Sequence, residues 1–268
     1  MEALKEISDS PALSFLSGEL KIPYNKKAMD VFAKCNAWYA LEDYENFHSR
    51  QTVSGINLEI EKLGFAKRLC ADDANLCEIV EINAGKDVKK FEGVKNLLRK
   101  NRFDVMYRKQ LELLAATGTV GAYIRLDNAV FYADKVVRGG DVKINYVSAA
   151  SIIPITVDNE EITECAFLGS NCQQGKAVQT LVVFRLDAAG NYIASSYYFN
   201  ESGELHDKRM ALQLGNVRPF AIMRTAEVNC IKGMQGYGFP KLTRAIPFLK
   251  DIDLCHAVLN GDLDKGQK

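Results

Sequence analysis

The chain has 268 residues, 47% of them hydrophobic and 25% charged, the mixture of a soluble chain that builds a core, which excludes disordered, collagen-like and small disulfide-scaffold classes. Thirty-four Lys and Arg balance 34 Asp and Glu, and a formal net charge of zero excludes a protein that coats nucleic acid by bulk attraction. Any DNA contact is then local or transient.

Met1 to Ser17 lacks the basic, apolar and small-residue order of a secretory signal. No apolar run approaches the roughly 20 residues that span a bilayer. Cysteines at 35, 70, 77, 165, 172, 230 and 255 form an odd set, which predicts free thiols in a reducing, intracellular compartment.

Taken in chain order, Ala28, Phe32, Cys35 and Tyr39 recur at steps of four, three and four, predicting a helix over 25–44 entered at Pro23. A second helix is expected after Thr52, with Ile56, Ile60 and Leu63 on one face, weakened at Gly64 and ending or bending at Asp72 to Asn75. Asn83 to Lys86 reads as a loop. A third helical block spans 88–117, with Phe91, Val94, Leu98 and Phe103 facing inward and Gly118 as its C-terminal cap. Its basic residues, Lys89, Lys90, Lys95, Arg99, Lys100, Arg102, Arg108 and Lys109, read first as a solvated face and second as a local DNA or protein contact.

From Val120 the period changes to two. Strands are expected over 129–137, 142–147, 151–157, 162–168, 179–186 and 192–199, separated by turns at Asp127-Asn128, Gly139-Gly140, Asp158-Asn159, 187–191 and 200–203. Connections this short force antiparallel pairing, so the block is one antiparallel sheet in an α+β protein. After Gly233-Met234-Gln235-Gly236-Tyr237-Gly238 a last helix begins at Pro240, with Leu242, Ala245, Ile246, Leu249 and Ile252 on one face, a kink at Pro247 and a polar turn at 260–262.

Few residues fall in patterns that carry chemistry. No close Cys or His spacing suits zinc, so no metal site is assigned. His48 in a polar loop, His206 after a turn and His256 on the last helix read as ordinary surface or interface residues, so no catalytic residue is assigned. The 233–238 glycines lack a P-loop Lys-Ser/Thr ending and read as a sharp, flexible turn before a helix, with a phosphate loop as the lesser reading. Asp72-Asp73 and Asp251/Asp253 read as solvated turn and helix faces.

Several segments, in this order, resemble the N-terminal half of a portal protein of long-tailed bacteriophages. They are Asn36-Ala37-Trp38-Tyr39 with Thr52 to Cys70, Leu111 to Tyr123 at the helix-to-sheet change, Ile144 to Pro154 leading into Glu161 to Phe167, Arg218-Pro219-Phe220-Ala221-Ile222, Gly236-Tyr237-Gly238-Phe239-Pro240 and Ala245 to Asp253. The resemblance implies that 1–118 is the helical part of a wing, 119–232 its antiparallel β part, and 233–268 a glycine-rich turn and the start of a kinked, stem-directed helix. The clip, second stem helix and crown would lie beyond Lys268. It also implies a non-enzymatic, cofactor-free subunit of a ring of about twelve copies at one capsid vertex. Expected partners are terminase, capsid and scaffold proteins, a head–tail adaptor and the double-stranded DNA passing through the channel, with no membrane. Assembly would take place in the host bacterial cytoplasm and residence in the virion. Lys241, Arg244, Lys250, Asp251 and Asp253 are the candidates for channel-facing or subunit-facing charges, against the plainer reading of a mixed surface face. The alternatives kept are a phage-associated phosphate- or nucleotide-handling enzyme using the 233–238 loop, and a monomeric virion adaptor binding through its sheet.

Overall fold

The computed structural model describes residues 10–51, 57–77, 88–127, 130–132, 135–138, 140–173, 176–200 and 202–266. The architecture is mixed α+β, with helices at both ends and antiparallel sheets between them.

Helix α1 (Pro11–Gly18) was not foreseen from the periodicity. Pro11 occupies its first turn, where a missing N–H costs nothing, and Ala12, Leu13 and Leu16 are buried. Phe15 packs its ring on Tyr197 and Phe199 at 5.0 and 5.5 Å, fastening α1 to the sheet. Helix α2 (Lys26–Tyr39) is entered at Asn25, whose Oδ1 accepts the Ala28 amide at 3.1 Å, and not at Pro23. It buries the expected Ala28, Phe32 and Cys35 but stops at Tyr39, five residues before the expected end, and Leu41 follows with φ 60°.

Of the helix expected after Thr52, residues 52–56 lie outside the described residues and 57–64 are not helical. Strands β1 (Ser49–Gln51) and β2 (Asn57–Glu59) pair antiparallel, and Ile60 N donates to His48 O at 2.8 Å, extending the ladder. The helix comes later, as α3 (Phe65–Asn75), launched from Gly64 in the left-handed region at φ 74°. Gly64 begins a helix, where a weak point inside one was expected, and the helix ends at Asn75 as anticipated. Residues 83–86 lie outside the described residues.

The block expected over 88–117 is two helices, α4 (Val88–Lys100) and α5 (Phe103–Thr117). Asn101 causes the break. Its Nδ2 donates to Leu97 O at 2.9 Å and to Val142 O at 3.1 Å, while its Oδ1 accepts from Ile144 N at 2.9 Å. These bonds trade helix continuation for a grip on the strand that carries Val142 and Ile144. Val94, expected inside, is exposed. Gly118 caps α5 as expected, at φ 74°, with its N–H on Leu114 O at 2.8 Å.

The strands that follow are β3 (Thr119–Asp127), β4 (Val130–Tyr132), β5 (Lys135–Arg138), β6 (Asp141–Ser148), β7 (Ile152–Asp158), β8 (Glu161–Gln173), β9 (Lys176–Leu186), β10 (Tyr192–Phe199), β11 (Leu205–Gly215) and β12 (Phe220–Arg224). They form two principal sheets, ordered β12-β3-β6 and β11-β10-β9-β8-β7, where one was expected. The single strand anticipated over 129–137 is the β4/β5 hairpin. Chain passes from one sheet to the other through a 3-10 turn, Ala149–Ser151, whose two alanines are buried and small enough to let the sheets meet. Tyr123, Phe167, Phe184, Tyr192 and Phe220 fill the space between them as stacked, tilted and edge-on pairs 4.9–6.0 Å apart. The β9/β10 hairpin has the expected register, Leu186 opposite Tyr192, closed by Asp187 accepting the Ala189 and Asn191 amides at 2.8 Å.

Helix α6 (Leu242–Gly266) ends the described chain. Pro247 lies inside it without ending it, and the polar turn expected at 260–262 is helical.

Burial sorts the thiols. Desolvation pushes Cys35 up to about 11 and Cys70 up to about 12, and raises Cys165 further, while Cys77, Cys230 and Cys255 are exposed. Maleimide labelling of the native protein at neutral pH, read by peptide mass spectrometry, is expected to modify Cys77 and Cys230 quickly and to leave Cys35, Cys70 and Cys165 unmodified until denaturant is added. Labelling of Cys165 at the rate of Cys230 would contradict the burial described here.

Candidate functional site

Helix α6 has apolar residues on two sides. Its inner row, Leu242, Ile246, Leu249 and Asp253 at steps of four, three and four, is buried. The three apolar members share a core with Cys35 and Trp38 of α2, Ala66 and Cys70 of α3, and Ala115 and Ala116 of α5. The row ends on a carboxylate, not a hydrocarbon. Asp253 is 4% exposed, and its Oδ2 lies 3.0 Å from Nε2 of His48, itself 6% exposed.

His48 was expected on the surface of a polar loop and is instead a buried bridge. Trp38 and Phe47 hold its ring at 5.2 and 4.9 Å, and its Nδ1 lies 3.5 Å from Asp43 Oδ1. Partial burial acts to raise the Asp43 carboxyl, but hydrogen bonds from the Ser49 hydroxyl and the His48 amide, with the charges of His48 and Lys62, leave it below the ordinary carboxylate value. A cavity of about 10 Å³ touches His48, Asp253, Trp38 and Leu249, room for a single water. It is too small to admit a substrate. His48 and Asp253 are 205 residues apart, and no local pattern announces the pair.

Of the five charged residues singled out on this helix, four reach other side chains of the same chain. Lys241 Nζ donates to both Asp73 oxygens at 3.1 and 2.8 Å, which raises the lysine above its ordinary value. Arg244 lies over the Phe239 ring at 4.3 Å and donates to Glu227 at 3.2 Å. Lys250 sits 4.9 Å above the Phe47 ring and 4.0 Å from Glu45. Asp253 is buried on His48, which corrects its expected place on a solvated face, and Asp73 is likewise engaged by Lys241. Asp251 is exposed. The charges therefore hold α6 down. The outer side carries Phe248 (70% exposed), Ile252 (44%), Cys255 and Leu259 (60%), again at steps of four, three and four, with Val258 beside them. An apolar row this open on a long helix is an interaction surface in form.

The 233–238 segment is a turn before the helix, as expected, but a packed one and not a flexible one. Met234, Gly236, Tyr237 and Gly238 are buried. Tyr237 Oη donates to Ile152 O at 2.7 Å, Gly238 N donates to Thr119 Oγ1 at 2.9 Å, and Asn229 Nδ2 donates to the carbonyls of Tyr237 and Gly238. The amides of Met234, Tyr237 and Gly238 are all engaged within the protein, which removes them from any anion. An open groove of about 890 Å³ lies outside the turn, bordered by Val157, Glu160, Arg224, Cys230 and Lys232.

His206 is exposed on β11, and His256 lies 3.6 Å from Glu61 and near Asn260. Among the described residues no group of three or more His, Cys, Asp or Glu is placed to hold a metal ion, and no helix is long and apolar enough to cross a membrane. In comparisons with known proteins, no family model matches the chain and no curated protein matches it.

Proposed function

We propose that this chain is the wing and stem-entry part of a phage portal subunit, a structural protein that assembles with copies of itself into a ring through which DNA enters and leaves the capsid. The ordered resemblance from Asn36 to Asp253 suggests the reading. The observation that carries it is the outer row of α6. A helix whose Lys250 and Asp253 engage its own chain, and whose Phe248, Ile252 and Leu259 face outward, is built to be covered by another polypeptide. Zero net charge suits a conduit, because a wall that neutralised many phosphates would release counterions and hold the DNA it must pass.

The test is light-scattering mass and negative-stain imaging of the gene product that carries this sequence, with any residues encoded after Lys268 retained. Rings of about twelve copies are expected. The double variant Phe248→Glu/Ile252→Glu, at positions already in water in the single chain, is expected to keep the circular dichroism spectrum and lose the rings. A strictly monomeric parent protein at high concentration, or rings unaffected by the double change, would overturn the reading.

A further inference from the structure

Residues 88–109 contain eight Lys or Arg and only two carboxylates, Glu92 and Asp104, in a chain of zero net charge. The structure shows what becomes of the described ones. Lys95, Arg99 and Lys100 on α4, Arg102 at the elbow, and Arg108 and Lys109 on α5 are all exposed. Several cations elsewhere are matched: Lys241 with Asp73, Arg244 with Glu227, Arg218 with Glu161 and Arg125 with Asp127. Here only Lys100 approaches a carboxylate, Asp141 at 4.0 Å, and Arg108 donates to the neutral Asn75 amide oxygen at 3.3 Å. Lys95, Arg99, Arg102 and Lys109 meet no carboxylate among the described residues.

A second observation concerns the elbow. Arg102 has φ 51°, in a region that glycine occupies freely and arginine does not. Holding an arginine there presents its guanidinium at the apex between two helices. Asn101, bonded to both Val142 and Ile144 of β6, fixes that apex to the sheet, so the cations sit on a rigid element. Lys95 and Arg99, four residues apart on α4, lie on one side of that helix, and Arg102 follows at its end.

We propose that the α4–α5 elbow is a contact surface for the phosphate backbone of duplex nucleic acid, engaged without sequence preference. Arginine forks and unpaired lysines are the donors that phosphates take. The face has no stacking platform for a single strand, because Phe103 and Tyr107 are half-buried and spent on each other, 5.3 Å apart and nearly parallel. Its exposed apolar residues are the small Val94 and Val105, which neither wedge into a bilayer nor make the aromatic centre of a protein interface. This surface is separate from the outer row of α6, and the inference does not rest on ring assembly.

Fluorescence anisotropy of the full chain with a labelled duplex of mixed sequence tests it. Binding is expected at about 50 mM salt, with log K falling against log salt at a slope of about −4, the signature of four or five phosphate contacts. The variant Lys95→Gln/Arg99→Gln/Arg102→Gly is expected to lose at least about tenfold in affinity and to flatten the slope by about 3. Its melting midpoint reports that the fold is kept, and Lys232→Gln, an exposed charge elsewhere, is expected to bind as the parent does. Absence of binding at low salt, or a triple variant with unchanged affinity and slope, overturns the proposal. Tighter binding to a single strand of equal phosphate number, to polyglutamate or to phosphatidylserine vesicles overturns the assignment to a duplex. The mass measurement above is independent, so failure of one reading is distinguishable from failure of the other.

Discussion

Replacing Gly238 by alanine is expected to destabilise the protein by about 4 kcal/mol or more and to lower its melting midpoint by about 10 °C. A methyl group at this position would lie 2.1 Å from Gly118 O, 2.7 Å from Thr225 N and 2.8 Å from Thr225 Oγ1. Two of these neighbours are backbone, so no flexible side chain can swing away. The neighbours are also committed: Gly118 O accepts the Thr225 amide at 3.0 Å, and Gly238 N donates to Thr119. Relief requires the end of α5 and the start of β3 to part from the segment leading into α6, breaking those bonds. Gly190→Ala is the comparison. Gly190 has positive φ, at 80°, but nothing lies within 4 Å of the added methyl, so it carries only the left-handed penalty of about 1 kcal/mol. Equilibrium urea unfolding of the three proteins measures both costs. Equal stability of the two alanine variants would show that the Gly118–Gly238 approach is not as close as described.

The second large effect is at the His48–Asp253 bridge. His48→Leu keeps an apolar ring-sized group between Trp38 and Phe47 but leaves the Asp253 carboxylate buried without its partner, and a loss of about 3–5 kcal/mol is expected. The double variant His48→Leu/Asp253→Leu removes the carboxylate as well as its partner and is expected to recover most of that loss, because a buried polar pair contributes little beyond what well-packed hydrocarbon supplies. The double-mutant cycle is the decisive quantity. A coupling energy below about 0.5 kcal/mol would mean that the two residues are neighbours without being a bridge.

Periodicity made much of this fold legible. The 4-3-4 spacing of Ala28, Phe32, Cys35 and Tyr39 marks the buried side of α2, and the change of period after Gly118 marks the entry into β3 at its true place. The β9/β10 hairpin follows from strand pattern and turn residues together. What stayed hidden depends on partners far away in the chain. Asn101 breaks a helical pattern because strand β6 lies within reach, some 40 residues on. Alternation reveals that residues 119–224 are strands but not which strands share a sheet, and only the buried alanines of the 149–151 turn explain the division into two. The 4-3 spacing from Ile56 to Leu63 fits a helix, yet Ile60 is buried beside a hairpin and the helix waits for Gly64. In the candidate site the outer row of α6 was partly readable, since Ile252 falls on the expected apolar face although that face is buried only as far as Leu249. The His48–Asp253 pair was not readable at all. A histidine next to a phenylalanine and a carboxylate on a helix become a buried bridge only when the fold brings them together.

The place of that bridge along α6 has a mechanical consequence. Over residues 242–262 of the helix Asp253 is the last buried one, and the 13 residues from Leu254 to Gly266 continue past it for about 20 Å at the usual rise per residue. The helix is thus a lever clamped at one end, with the clamp at its rim made from charge and not from hydrocarbon. A sideways load on the far end turns about Asp253. It falls on the 3.6 Å approach of His256 to Glu61 and the 3.0 Å contact to His48, and through Asp43 and Ser49 on the β1/β2 hairpin, before it reaches the aromatic core between the sheets.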